Sequence, residues 1–206
     1  LPKLLKLNES HVSPDAGKWR DSTYSRNDPQ ITQAKEPWQR MYVDRYGGQK
    51  SMGVESFEGA VGEYVFVCPA VGQYKIKLYS TNEQFPVCLF TVLTEIEAKQ
   101  FRCHEIYVDT FSVNISREAH EVAALFFTVI VPIAAGSPQE LAFAESAHRV
   151  IGRMSRTMAA NAPHMPGFCW GVRDQYCAYA HDFLPISTRG GAMPKLSSLR
   201  QAHRLA

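Results

Sequence analysis

The sequence lacks every short motif that would name a reaction by itself. It contains no phosphate-binding or dinucleotide-binding glycine pattern, no GxSxG element and no HExxH element. These absences prevent the assignment of any catalytic, cofactor-binding or metal-binding residue from a motif. We therefore interpret the chain as a protein without catalytic function. The alternative is a small α/β enzyme whose reactive groups converge only in the fold.

Cysteine is absent from the arrangements that usually carry disulfides or zinc. The five cysteines are an odd number and no two have CxxC spacing, which argues against a secreted disulfide framework and a zinc ribbon. Cys103 and His104 are adjacent, so their side chains point to different faces and do not form a nucleophile–base pair. A looser group matches no common zinc module, and we expect it to pack instead: Cys169, Cys177, His164 and His181. The sequence thus predicts neither a metal nor a cofactor.

Long hydrophobic runs are also missing. The most apolar stretch, residues 122–135, has 14 residues and includes Thr128 and Pro132, whereas a membrane span needs about 20 apolar residues. We predict a helix in its first half and a β-strand in its second. The chain opens with Leu1 and shows no transit segment or secretory signal, from which we expect a processed organellar protein.

Neither sign of charge is in large excess, because 22 Lys and Arg face 20 Asp and Glu. The balance hides an uneven distribution. Residues 50–149 carry seven basic and twelve acidic side chains, whereas residues 150–206 carry seven basic and two acidic ones. Nucleic-acid affinity comes largely from neutralising phosphates, so the small net charge makes nucleic acid a less favoured partner than protein.

The patterns that are present indicate an α+β fold. Alternating or continuous apolar runs predict strands at 64–68, 74–79, 86–93 and 106–113, the first two forming a hairpin. A capping box at Thr94 predicts a short helix over about 95–104, and Ser116 precedes the helix expected before residue 128. The clearest element is a long amphipathic helix over about 138–160, with a proline at its start and one apolar stripe. We predict one compact domain with a mainly antiparallel or mixed sheet.

The two ends of the chain differ in composition from this domain. We predict an extended N-terminal arm over 1–60, the core domain over 61–187 and a basic C-terminal tail over 188–206. Isolated aromatic and basic side chains are typical interface anchors. The alternatives are an arm that wraps its own domain and, for the aromatic segment after residue 167, stacking on single-stranded bases. The interface candidates are Leu4, Leu5, Trp19, Tyr24, Trp38, Trp170, Arg173, Tyr176, Arg189, Arg200 and Arg204.

These features favour an accessory or structural subunit of a large organellar complex. A mitochondrial respiratory complex or ATP synthase is the expected setting, with the protein peripheral to the inner membrane. Residues 1–7 combine leucines with two lysines and are expected to touch the membrane surface. The partners would be other protein subunits. The alternative is a mitochondrial ribosomal or other RNA-associated subunit that uses the basic residues 150–206.

Overall fold

The computed structural model describes residues 36–47, 53–110, 115–133 and 138–183. Within these ranges lie five strands and four α-helices. The strands are β1 (Arg40–Tyr46), β2 (Gly62–Cys68), β3 (Gln73–Tyr79), β4 (Glu105–Asp109) and β5 (Val129–Ile133). The helices are α1 (Phe85–Glu97), α2 (Arg117–Leu125), α3 (Pro138–Asn161) and α4 (Trp170–His181). None of the described helices is long and apolar enough to cross a membrane.

The strands form one mixed sheet in the order β3-β2-β1-β4-β5. β1 lies at its centre, antiparallel to β2 and parallel to β4, and β5 continues the parallel half. β2 is antiparallel to β3 along its whole length, as expected for a hairpin. The sheet therefore has an antiparallel half and a parallel half that meet at β1.

Helices cover both faces of the sheet. α1 and α2 pack on one face, around Phe66, Leu89 and Ala123. α3 and α4 pack on the other face, around Val65, Ala147 and Cys177. Because both faces are covered, every residue of β2 is buried, and this explains the apolar run at 64–68.

Several predictions from the sequence are confirmed. The fold is α+β with a mixed sheet, and β2 and β3 form the predicted hairpin around Gly72, which has a φ of +64°. Ser116 caps α2 by accepting a hydrogen bond from the Ala119 amide at 3.2 Å. The apolar run after α2 becomes β5, and the long amphipathic helix is α3.

The prediction of a strand at 86–93 and a helix at 95–104 is wrong. This segment is α1, whose buried residues recur at steps of three and four: Phe85, Cys88, Leu89, Val92, Leu93 and Ile96. Thr94 does not cap a helix, because its hydroxyl donates to the Phe90 carbonyl one turn earlier at 2.9 Å. The run was ambiguous because apolar residues fill the outward positions of the helix as well.

The boundary of the predicted N-terminal arm also differs from the structure. Residues 40–46, assigned to an extended arm, are the central strand β1. The buried hydrophobic residues of this strand are Met41, Tyr42 and Val43 alone. The neighbouring strands on both sides satisfy the backbone hydrogen-bonding groups of β1. A strand at the centre of a sheet can therefore be formed by a segment with only a short apolar run.

Candidate active site

Two aspartates lie side by side where the parallel pairing of β1 with β4 ends. The register aligns Tyr42 with Tyr107 and Val43 with Val108, and the next residue on each strand is Asp44 and Asp109. Neighbouring strands are about 4.8 Å apart, so the two carboxylates start from adjacent backbone positions. The Tyr42 and Tyr107 rings stack with centroids 4.9 Å apart, and this side-chain alternation puts both aspartates on the face covered by α3.

The carboxylate of Asp44 has a defined environment on both of its oxygens. Oδ1 accepts a hydrogen bond from the Arg45 amide at 2.7 Å. Oδ2 lies 3.3 Å from Nε2 of His148 on α3, although the angles are not those of a hydrogen bond. The His148 ring also packs on Tyr46, with centroids 5.3 Å apart. α3 and β1 thus meet at this aspartate.

A third carboxylate lies one helical turn from His148. Glu145 precedes it by three residues, and residues three apart share one face of a helix. The Glu145 side chain is about half exposed and its Oε2 lies 3.2 Å from Nη2 of Arg149. The site therefore has two aspartates on the sheet and one solvent-facing glutamate on the helix that covers them.

A buried polar cluster lies behind this site, between α3, α4 and β2. It contains the buried residues Glu63, Ser155, Arg173 and Asp174. Arg173 Nε donates to the Ser155 hydroxyl at 2.6 Å, and Glu63 pairs in register with Tyr46 on β1. Burial, followed by the charge of Asp174, raises the pKa of Glu63 well above its usual range.

Burial also raises the pKa of Asp174, but three neighbours oppose it: the Ser155 hydroxyl, the charge of Arg173 and that of His148. Two neighbouring buried carboxyl groups do not both ionise readily. Burial therefore acts against ionisation of both carboxyl groups, and the partners that oppose this effect surround Asp174.

The metal-binding group considered from the sequence is not assembled. Across the described ranges, no three His, Cys, Asp or Glu side chains form a group that could hold a metal ion. Cys177 is buried and its Sγ lies 3.4 Å from Sδ of Met158, whereas Cys169 is partly exposed. Cys103 is buried, which raises the pKa of its thiol to about 12 and makes it a poor nucleophile.

The structure describes four of the eleven interface candidates. Trp38, Trp170 and Arg173 are buried inside the chain's own fold, so they are not exposed anchors. Trp170 donates to the Val54 carbonyl at 3.0 Å, and Trp38 donates to Gln73 at 2.7 Å. Tyr176 is exposed on α4. The other candidates lie outside the described residues: Leu4, Leu5, Trp19, Tyr24, Arg189, Arg200 and Arg204.

Sequence reasoning missed Asp44, Asp109 and Glu145 as a group. The usable signal was an aspartate after each of two short apolar segments, at 41–43 and 106–108. The sequence analysis assigned the residues of β1 to the N-terminal arm and predicted no strand there. Asp44 could therefore not be related to Asp109 on β4. The pairing of two parallel strands cannot be read from either strand alone.

Comparison with solved structures identifies the fold. The chain is similar to the catalytic core domain of HTLV-2 integrase in complex with magnesium, in a trimeric and a dimeric form, with TM-scores of 0.58 and 0.56. In both cases 11% of residues are identical, and 77% of this chain matches 94% of that one. The simian T-cell lymphotropic virus intasome with the PP2A regulatory subunit B56γ matches with a TM-score of 0.60, 11% identity and 77% of this chain against 53% of that one. The chain therefore has the RNase H-like fold of integrase catalytic cores.

No family model matches the sequence, and no curated protein is similar to it. The structural likeness nevertheless overturns the functional interpretation drawn from the sequence. The prediction of an accessory subunit of a respiratory complex or ATP synthase is wrong, because the chain shares its fold with integrase cores. The associated description as a subunit of the respiratory chain or of ATP synthase is wrong for the same reason.

The expectation that the partners are other protein chains agrees in part with these structures. They include a dimeric form, a trimeric form and a complex with a phosphatase regulatory subunit. Protein partners in an assembly are therefore consistent with this fold. The predicted location at the mitochondrial inner membrane is not tested and stays a prediction.

Proposed function

We propose that this chain is the core of a Mg²⁺-dependent enzyme that cuts or joins nucleic-acid strands. The observation that carries the proposal is the adjacency of Asp44 and Asp109 just after the last aligned pair of two parallel strands, toward their carboxyl ends. Ligands of open α/β sheets bind at this end of the strands. The similar HTLV-2 structures are integrase catalytic cores with magnesium, and this likeness supports the choice of metal and substrate.

The residues present fit a magnesium ion that keeps much of its water. Mg²⁺ is commonly held by one or two carboxylates together with substrate phosphates, without a full protein cage. Asp44 and Asp109 provide such a pair. When bound there, Mg²⁺ would polarise a phosphoryl oxygen and lower the pKa of a water ligand.

The chain's own residues have separate tasks in this proposal. Asp44 and Asp109 hold the metal from the sheet, and Glu145 completes the set from α3 by turning its exposed side chain inward. Its pairing with Arg149 is solvent-exposed on both sides and costs little to break. The cover of α3 over the aspartates leaves the carboxyl end of the sheet as the side from which the substrate enters.

The test is Mg²⁺-dependent cleavage of a labelled DNA duplex by the purified chain, together with calorimetric titration of MgCl₂. Asp44→Asn and Asp109→Asn should each abolish Mg²⁺ binding and lower cleavage by at least about 100-fold, because an amide cannot supply the negative charge. Glu145→Gln should lower cleavage by a similar factor.

Glu118→Gln is the matched control, because Glu118 is an exposed glutamate on α2. It should leave both readouts unchanged. A chain that cleaves DNA equally well after both aspartate substitutions, or that binds no Mg²⁺, would contradict the proposed function.

A further inference from the structure

The outward face of α4 carries apolar and aromatic side chains. The exposed residues of this helix are Val172, Tyr176 and Tyr179, with 50%, 56% and 64% of their surfaces accessible to solvent. Arg173 and Asp174 are buried, so α4, which lies wholly within the described residues, has its charged side chains on the inner side. A helix at a protein surface normally presents polar and charged residues to water. α4 therefore has the outward face of a helix that packs against another surface.

These residues belong to one stripe that continues beyond both ends of α4. Phe168 precedes the helix and Phe183 follows it, and both are about half exposed. Residues 168, 172, 176, 179 and 183 recur at steps of three and four, which places them on one side of a helix. The rings of Tyr179 and Phe183 meet edge to face, with centroids 4.9 Å apart. We call these five residues the aromatic stripe.

The exposed apolar surface extends from the aromatic stripe onto the segment before β2. Phe57 lies beside Phe168, with ring centroids 6.2 Å apart, and its amide donates to the Phe168 carbonyl at 2.8 Å. Phe57 is 75% exposed. Together with the stripe it gives five aromatic rings, which expose about 600 Å². Contiguous apolar patches of this size mark interaction surfaces, and a stable interface buries about 800 Å² on each partner. The surface thus supplies most of the area that a stable interface needs.

The order of residues along the aromatic stripe makes it complementary to itself. When two copies of α4 lie antiparallel and cross at Tyr176, Phe168 of each copy is opposite Phe183 of the other. Val172 is then opposite Tyr179, and Tyr176 is opposite its own counterpart. Because the charged residues of α4 are buried, this arrangement brings no like charges together. A two-fold symmetric interface requires such a patch, since both partners use the same surface.

We propose that the aromatic stripe is the interface through which two copies of this chain form an antiparallel, two-fold symmetric dimer. Association removes the exposed aromatic and valine surface from water on both copies. The tyrosine hydroxyls supply hydrogen-bonding groups in this otherwise apolar contact. The inference goes beyond the proposed function and does not rest on it, because none of the stripe residues belongs to the candidate active site.

Analytical ultracentrifugation of the full chain, without Mg²⁺ or nucleic acid, tests this inference. The unaltered chain should sediment with about twice its monomer mass of 23.1 kDa. Tyr176→Glu places two carboxylates face to face at the symmetry axis, so it should raise the dissociation constant of the dimer by at least about 100-fold. Val87→Glu is the matched control, because Val87 is an exposed apolar residue of α1, outside the stripe. It should leave the dissociation constant unchanged.

An exchange of charge separates loss of the interface from loss of folding. Tyr176→Lys alone should be as monomeric as Tyr176→Glu, because it also places like charges opposite each other. An equimolar mixture of the two variants should dimerise, because a lysine then faces a glutamate. Recovery in the mixture would show that both variants are folded and that residue 176 of one copy faces residue 176 of the other.

Three outcomes would overturn the proposal. They are an unaltered chain that sediments as a monomer, a Tyr176→Glu chain that dimerises as tightly as the unaltered chain, and a mixture of the charged variants that stays monomeric. A monomeric chain that binds an oligothymidylate, and loses this binding in Tyr176→Ala, would assign the aromatic stripe to stacking on single-stranded bases instead.

Discussion

At the scale of single residues, glycine at position 62 is required by close packing at the start of β2. A Cβ atom added at Gly62 would meet the Tyr79 ring and would lie 2.6 Å from the backbone carbonyl oxygen of Tyr46. The carbonyl belongs to the central strand and cannot move without breaking the sheet. Gly62 therefore permits the close approach of β1, β2 and β3 at this point of the sheet.

We expect Gly62→Ala to lower the free energy of unfolding by about 1–3 kcal/mol, because overpacking forces backbone shifts. Urea denaturation followed by circular dichroism measures this change. Gly152→Ala on α3 is the control, since its Cβ would meet only the flexible end of Arg156, at 3.3 Å. It should stabilise the chain by up to about 1 kcal/mol through helix propensity. Equal effects of the two substitutions would contradict this account.

At the scale of the elements, β3 and α1 are joined by two lysines that share one acid. The amino groups of Lys75 and Lys77, which lie on the same face of β3, both bond to the carboxylate of Glu95 on α1. Burial raises the pKa of Glu95, but the hydrogen bonds and charges of the two lysines together outweigh it, so its pKa is lowered.

A lowered pKa in the folded state means that Glu95 stabilises the fold above its unfolded-state pKa of about 4.5. This contribution should disappear as the pH falls through the lower folded-state pKa. Because Glu95 is partly exposed, we expect it to be below about 1 kcal/mol. Glu95→Gln should destabilise the chain at pH 7 and have no effect at pH 2.

Urea denaturation at both pH values measures this difference. Glu97→Gln on the same helix is the control, because Glu97 is exposed and forms none of these bonds. A Glu95→Gln chain that loses the same stability at pH 2 as at pH 7 would show that the lysine contacts contribute through packing instead of charge.

The elements also show where sequence patterns are decisive. α3 and the β2–β3 hairpin were predictable, because their periodicity and turn residues agree with their surroundings. The sequence predicted an irregular aromatic segment in place of α4, because this helix buries polar residues and exposes aromatic ones. Its buried positions include Gly171, Arg173 and Asp174, whereas Tyr176 and Tyr179 face outward. A Cβ atom added at Gly171 would lie 2.7 Å from Cδ1 of Leu78, which would have to shift, and no local pattern records this contact.

At the scale of the whole molecule, the position of β1 decides where the domain begins. A chain that starts at residue 61, at the predicted domain boundary, would lack β1. This strand lies between β2 and β4, so the sheet would be divided into two parts. We expect such a chain to show no cooperative thermal unfolding, because both new strand edges and the core around Met41 and Val43 become exposed.

A chain that starts at Gln33, where the compact unit containing β1 begins, is the matched control and should unfold cooperatively. Differential scanning calorimetry of the two chains makes the comparison. A cooperative transition in the shorter chain would mean that β1 is dispensable for the fold.

The sequence by itself determined the α+β class, the hairpin, the cap of α2 and the long helix α3, because each depends on residues close together in the chain. Only the tertiary structure decided which residues form the candidate site. Asp44 and Asp109 become neighbours through the parallel pairing of β1 with β4, and His148 joins them because α3 packs across that edge. The chemistry of the site arises from contacts between distant segments, which local patterns cannot specify. The absence of a reaction motif in the sequence was therefore no indication that the chain lacks a reactive site.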